Sequence, residues 1–283
     1  MRILRSHHYV LMALGLSLHC EAGWMDAIPN KDKIVSAVKV AQKTVEASKD
    51  IAPHQCYQVG RTFAARVLAQ TPPIKDEALI HKVNLIGLSL AMVSQKPEVY
   101  AGYSFMVLDQ AEPNGFATPG GHVFITKGLL DLCETDDHIA AVLAHEISHV
   151  VADHGPALIK KMRWTDTGLT AATEVLANSN SDTTAQLAKN FGDLSKNLCS
   201  SVVEKGFGRR QELEADGLGV LNLKTAGFRP EAMLEMIEKI QKKYGLAGLP
   251  MFDSHGAPDD RIAHIKEVIA TNNPLGKLPA KEE

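Results

Sequence analysis

His145-Glu146-Ile147-Ser148-His149 sets two imidazoles four residues apart, with a carboxylate beside the first. On a helix of about 3.6 residues per turn the two stand one turn apart on one face and can share a metal ion. Glu146 borders that face, where its carboxylate can take a proton from a water held by the metal. The flanking residues predict the helix. Thr135 is a capping residue, Asp136 and Asp137 follow where the helix dipole favours acids, and Ile139, Val142, Leu143, Ile147 and Val150 recur at helical spacing. Gly155 and Pro156 are expected to end it. The apolar stripe faces a core, so the histidines ride on a packed element.

Two histidines leave a tetrahedral zinc one protein ligand short, because catalytic sites supply three and keep the fourth position for water. A metzincin would place a glycine and a third histidine shortly downstream; Ala152 holds the glycine position and the third histidine is missing at its spacing, which excludes that class. The acidic stretch Glu212-Leu213-Glu214-Ala215-Asp216, followed by Gly217, Leu218, Val220 and Leu221, is helix-compatible. Glu212 and Asp216 are four residues apart and face the same way. One can ligate the metal while the other accepts the N–H of a ligating histidine and fixes its tautomer. Glu214 points elsewhere, toward solvent.

HEISH followed by Glu-x-x-Ala-Asp resembles the M48 family of zinc metallopeptidases, the gluzincins that include heat-shock membrane proteases, CaaX prenyl proteases and periplasmic quality-control proteases. Residues 103–109 (YSFMVLD) and 113–130 (PNGFATPGGHVFITKGLL) are similar to the family's strand, turn and second strand, and residues 253–262 (DSHGAPDDRI) to its "SHP…RI" element. Gly115 and Gly256 stand where the family carries an alanine-like residue and a proline. The resemblance spans roughly residues 50 to 270. It implies an α+β, mainly helical fold, a gluzincin-like domain with a small β-sheet above the HExxH helix. It further implies one zinc per chain on His145, His149 and Glu212, Glu146 as general base, and Asp216 behind the ligands as partner of His145. A histidine at 255 is implied to approach the metal, either as oxyanion donor or as a blocking ligand, with Arg261 the alternative donor. The implied reaction is endoproteolysis of unfolded or misfolded envelope polypeptides, with Val123–Thr126 as the edge to which an extended substrate adds. A non-catalytic, chaperone-like module of the same fold and an exopeptidase are the competing readings; an intact Glu146 argues against the first, and the lack of acidic residues around Phe116–Phe124 against the second.

Arg2 and Arg5 before the apolar stretch Tyr9–Leu18, with Cys20-Glu21-Ala22 as a cleavage site, read as a secretory leader. This points to an exported, periplasmic protein, with a lipid anchor at Cys20 as the alternative. No later segment reaches the roughly 20 apolar residues of a spanning helix, so the mature chain is expected to lack one. A net charge of −3 argues against nucleic acid as partner. With 45% hydrophobic and 22% charged residues the chain can bury a substantial core. The expected organisation is a leader at 1–22, an N-terminal helical region at 23–98 packing on the catalytic domain, a metallopeptidase core at 99–272 and a flexible tail at 273–283. Helices are expected over Lys31–Ser48, Val59–Gln70, Glu77–Met92, Pro230–Tyr244 and from Pro258 to about Ala270, with a loop at Asn178–Thr184. Cys56, Cys133 and Cys199 permit at most one internal disulfide. His54, His81, His122, His138, His154 and His264 have no partner at ligand spacing and are read as surface or core residues.

Overall fold

Phe105, Val107, Val123, Ile125 and Ala117 join one buried cluster, and Leu108, Phe116 and Phe124 another, which is the two-faced alternation of a sheet covered on both sides. The computed structural model describes residues 50–162, 206–244, 258–276 and 278. Strand β1 (Ser104–Leu108) runs parallel to β3 (His122–Thr126), and β2 (Gly115–Ala117) runs antiparallel along the other side of β3, with Phe116 opposite Phe124. The strand Val123–Thr126 is therefore central and not the open edge that the sequence suggested. The edge lying against the HExxH helix is β2. Gly120 and Gly121 turn β2 into β3 at φ of +89° and +97°. A Cβ on Gly120 would lie 2.7 Å from the Tyr57 Cα, so the turn closes on its neighbouring helix only with glycine.

Helix α1 (Pro53–Gln70) starts with proline in its first turn and packs Val59, Phe63 and Val67 under Phe116 and Phe124. On the other face lie α2 (Glu77–Val93), capped by Asp76, and, after the short α3 (Lys127–Leu130), the helix α4 (Asp136–Val151). The Thr135 hydroxyl accepts from the His138 N–H at 3.3 Å and caps α4, as its sequence predicts. Every residue from His138 to Val150 is buried, with Leu143 and Ile147 fully so. Truncating either to alanine costs about 2–5 kcal/mol at such a site. Helix α4 ends at Val151, Asp153 turns the chain at φ 54°, and helix resumes at 154. Gly155 and Pro156 thus belong to the first turn of the following helix, where proline is tolerated, and do not end the first.

Helix α5 (Arg209–Ala226) stops at Gly227, which adopts the left-handed conformation usual after a helix end; α6 (Glu231–Tyr244) packs on α4, and α7 (Pro258–Thr271) packs on α5 and α6. A Cβ on Gly219 would stand 3.3 Å from the His145 nitrogen, so this glycine lets α5 lie against the α4 backbone at the first histidine of the motif. The mainly helical α+β architecture matches the fold read from the sequence. Cys133 is a thiol that donates to the Leu129 carbonyl, and burial pushes its pKa up to about 12. Among the described residues no helix is long and apolar enough to cross a membrane. The leader at 1–22, the helix over Lys31–Ser48, the loop at Asn178–Thr184, Cys199, His255 and the end of the tail lie outside the described residues.

Candidate metal centre

Helix α4 presents His145 and His149 toward α5, which brings Glu212 to meet them. Among the described residues, His145, His149 and Glu212 form the group whose ligand atoms converge within 4.8 Å, and all three are buried. The two Nε2 atoms are 3.1 Å apart, His145 Nε2 is 3.3 Å from Glu212 Oε2, and His149 Nε2 is 3.5 Å from Glu212 Oε1. Ligands at zinc–nitrogen and zinc–oxygen distances of about 2.0–2.2 Å on a tetrahedron lie about 3.3–3.6 Å from one another. The donor set and its spacing fit a tetrahedral zinc that keeps one position for water.

The second nitrogen of each imidazole supports that orientation. His145 Nδ1 lies 2.9 Å from Asp216 Oδ1, so facing a carboxylate it carries the proton and leaves the Nε2 lone pair for the centre. Asp216 in turn accepts from Arg261 Nε at 2.7 Å and Nη2 at 2.6 Å, a two-point grip on a buried carboxylate. Burial pushes the Asp216 carboxyl up, but the Arg261 charge and these hydrogen bonds outweigh it and hold the group below its ordinary value. His145 responds to the same balance. Burial and Arg261 press its pKa down, yet the hydrogen bonds to Asp216 and Glu212 prevail and push it up to about 9. A cation between Nε2 and Glu212, proton or metal, is what this geometry calls for.

His149 has a partner that helical spacing did not suggest. Its Nδ1 lies 2.8 Å from the Nδ1 of His154, which is buried, and His154 Nε2 stands 3.6 Å from Glu214 Oε2. With the Nε2 lone pair of His149 turned to the centre, its Nδ1–H donates to His154, which then carries its own proton on Nε2 facing Glu214. Burial lowers the pKa of His154 and keeps it the neutral acceptor this chain of bonds needs, although Glu214 and Glu212 oppose the shift. The Phe207 ring stacks on His149 at 4.3 Å and closes the remaining face. Glu214 is half-buried beside His154 and not simply solvent-facing.

Glu146 is buried beside β2: a Cβ on Gly115 would stand 3.2 Å from its Oε1. The glycine at the position where the M48 motif carries an alanine-like residue therefore gives this carboxylate room. Arg261, read from the sequence as a candidate oxyanion donor, holds Asp216 through two of its nitrogens, and the same guanidinium lies 3.3 Å from His145 Nδ1 and 4.0 Å from Glu212 Oε2. His138 pairs with Glu235 at 3.0 Å, and His122 bonds the Ser104 hydroxyl at 2.8 Å, so neither joins the centre.

The family model for peptidase family M48 matches residues 78–269. The chain is similar to the beta-barrel assembly-enhancing protease of Escherichia coli strain K12, 27% identical over 234 residues, which cover 82% of this chain and 47% of that protein. It is 33% identical over 166 residues to the mitochondrial metalloendopeptidase OMA1 of Schizosaccharomyces pombe, covering 57% of this chain and 45% of the relative. Metalloprotease LoiP of Escherichia coli is 29% identical over 164 residues, 58% of this chain and 62% of its own. The chain spans about half the length of the first two of these curated relatives. With the motif on a buried helix, the Glu212 carboxylate brought to it from α5 and a family match across both, the chain belongs to peptidase family M48.

Proposed function

We propose that the chain is a zinc-dependent endopeptidase acting on unfolded or misfolded polypeptides in the periplasm. The observation that carries this reading is the position of Glu146, buried on the ligand helix and pressed against the edge strand β2 beside Gly115. Zinc, when bound, is a Lewis acid that polarises the scissile carbonyl and acidifies the water it holds. The remaining work falls to the chain. His145, His149 and Glu212 hold the metal, while Asp216 and His154 keep the two imidazoles in the tautomer that binds it. Glu146 takes the proton of the attacking water and passes it to the leaving nitrogen. Ladder bonds of β2 to β3 fall at Asn114, Phe116 and Thr118, so the N–H and C=O of Ala117 point to the outer side, where an extended substrate adds as a further strand. Recognition through main-chain hydrogen bonds suits unfolded chains of varied sequence.

Export is supported by the leader-like residues 1–22, and substrates of the cell envelope by the likeness to a beta-barrel assembly-enhancing protease. His255, in the stretch that resembles the family's "SHP" element, is proposed to act at the metal. His255→Ala is expected to change turnover more than threefold with zinc content unaltered. The reading is tested by incubating the purified protein with casein, with and without chelator, and mapping products by mass spectrometry. Internal cuts that vanish with chelator and return with zinc are expected. Chelator-resistant cutting, or an intact substrate, refutes it.

A further inference from the structure

The metal centre opens on a cleft of about 550 Å³ that none of the residues so far described as acting on the peptide bond explains. His149 lines one end of it, and Ala117 and Thr118, the last residue of β2 and the one after, line the adjoining wall. Its sides are apolar: Ile51, Cys56, Val99, Tyr100, Pro119 and Phe207. The cleft holds two lysines as well, each in an ion pair, Lys96 with Asp153 at 2.5 Å and Lys160 with Asp50 at 2.9 Å. Glu98, exposed at the rim, adds a negative charge. Such a volume falls within the roughly 300–1,000 Å³ of ligand pockets and exceeds a single aromatic side chain.

We propose that this cleft is a specificity pocket that takes a large apolar, uncharged or basic-tolerant side chain of the substrate, preferring Phe, Tyr, Leu or Met and rejecting Asp and Glu. The inference rests on the peptidase reading and deepens it. A strand added along β2 with its scissile bond at the metal advances about 3.3 Å per residue, so it enters the cleft within a few residues of the cut. Side chains alternate along that strand, and one of them is turned into the apolar walls while its neighbour faces away. The charged lining residues, Asp50, Glu98 and Asp153 against Lys96 and Lys160, leave a net charge of −1, which disfavours an acidic side chain.

The test uses the full-length, zinc-loaded protein on casein and on a peptide library, with cuts mapped by mass spectrometry. Enrichment of Phe, Tyr, Leu and Met and depletion of Asp and Glu are expected at one fixed position within four residues of the cut. Ile51→Trp, which narrows the cleft from its apolar wall, should lower kcat/KM for a peptide carrying Phe there roughly 10-fold, with the matching Ala peptide lowered less. Tyr100→Ala sits at an exposed position and decides the matter if the tryptophan variant fails to fold; it should reduce the same preference severalfold. Chelator-sensitive cutting without a positional preference, or with the preference intact in the variants, overturns the pocket and leaves the peptidase reading standing. If casein stays intact, the peptidase reading fails, and equilibrium binding of the Phe and Ala peptides to wild type and Tyr100→Ala judges the pocket. Equal Kd values for the two peptides on wild type overturn it; discrimination lost in the variant upholds it.

Discussion

Asp216→Asn separates two jobs that one carboxylate performs. Oδ1 accepts from both His145 Nδ1 and Arg261 Nη2, at 2.9 and 2.6 Å, and Oδ2 accepts from Arg261 Nε at 2.7 Å. An amide of the same shape keeps one acceptor and turns its NH2 toward a donor, whichever way it is flipped. With the amide oxygen at the Oδ1 position the His145 N–H keeps a neutral acceptor in place of a charged one, and in the other flip it keeps none, so zinc affinity should fall about 10- to 100-fold, as such partners are worth. The guanidinium loses more. Arg261 is buried, so losing the carboxylate that grips it at two points should cost up to about 3–5 kcal/mol of stability in the metal-free protein, less what Glu212 at 4.0 Å offsets. Replacing Arg261 as well removes that charge: Asp216→Asn with Arg261→Met should regain most of the lost stability while zinc affinity stays low. The assay is chelator-competition titration for zinc and urea unfolding of the metal-free protein, across wild type, both single variants and the double. Wild-type zinc affinity in the double variant would refute the assignment of Asp216 to His145, and an unchanged metal-free stability in Asp216→Asn would refute the charge argument.

Glu146→Gln should retain about one zinc per chain and lose turnover by about 10²- to 10⁴-fold, because the amide cannot take the proton; casein cutting near the wild-type rate removes Glu146 from that role. His154→Ala takes away the acceptor of the His149 Nδ1–H and should weaken zinc about 10-fold or more, read by chelator competition, while His154→Asn, which can still accept, recovers part of it. Zinc binding should release about one proton at pH 7. Metal-free His145, with its pKa pushed up to about 9, is charged below that pH and must become neutral to ligate, so affinity rises with pH up to about 9 and falls below it. Calorimetry in buffers of different ionisation enthalpy reads the release, and a buffer-independent heat rejects it.

What the sequence made legible follows from how local each signal is. Thr135, the apolar stripe and the four-residue spacing of the histidines lie within one helix, where periodicity converts directly into faces, and α4 appears as read. Glu212 and Asp216 share a face for the same reason, but that α5 meets α4 is a tertiary fact, visible beforehand only through the family's motif pair. Gly219 makes that meeting close, and an isolated glycine in a helical pattern does not announce what it lies against. The strand assignment failed for a related reason: alternation identifies Val123–Thr126 as a strand but says nothing of its neighbours, and a central strand in a sheet covered on both faces reads like any buried one.

His154 shows the limit most clearly. Five residues from His149, it lies off any shared helical face, and the test of ligand spacing dismisses it. Asp153 breaks the helix with a left-handed residue and swings the next imidazole back onto the first, so contact arises from a turn whose φ of 54° a non-glycine residue seldom adopts and no local pattern encodes. Arg261 reverses the lesson. The resemblance drew attention to it as a donor near the metal, and the fold adds a second task, since its Nε and Nη2 grip Asp216 behind His145. The two histidines are therefore readable from spacing and Glu212 and Asp216 from the motif pair, whereas the parts of His154 and Arg261 are set by where distant helices and one turn meet. In this chain the buried Asp216–Arg261 pair behind His145 joins the buried carboxylate of Glu212 in carrying the charge on which both stability and metal affinity depend.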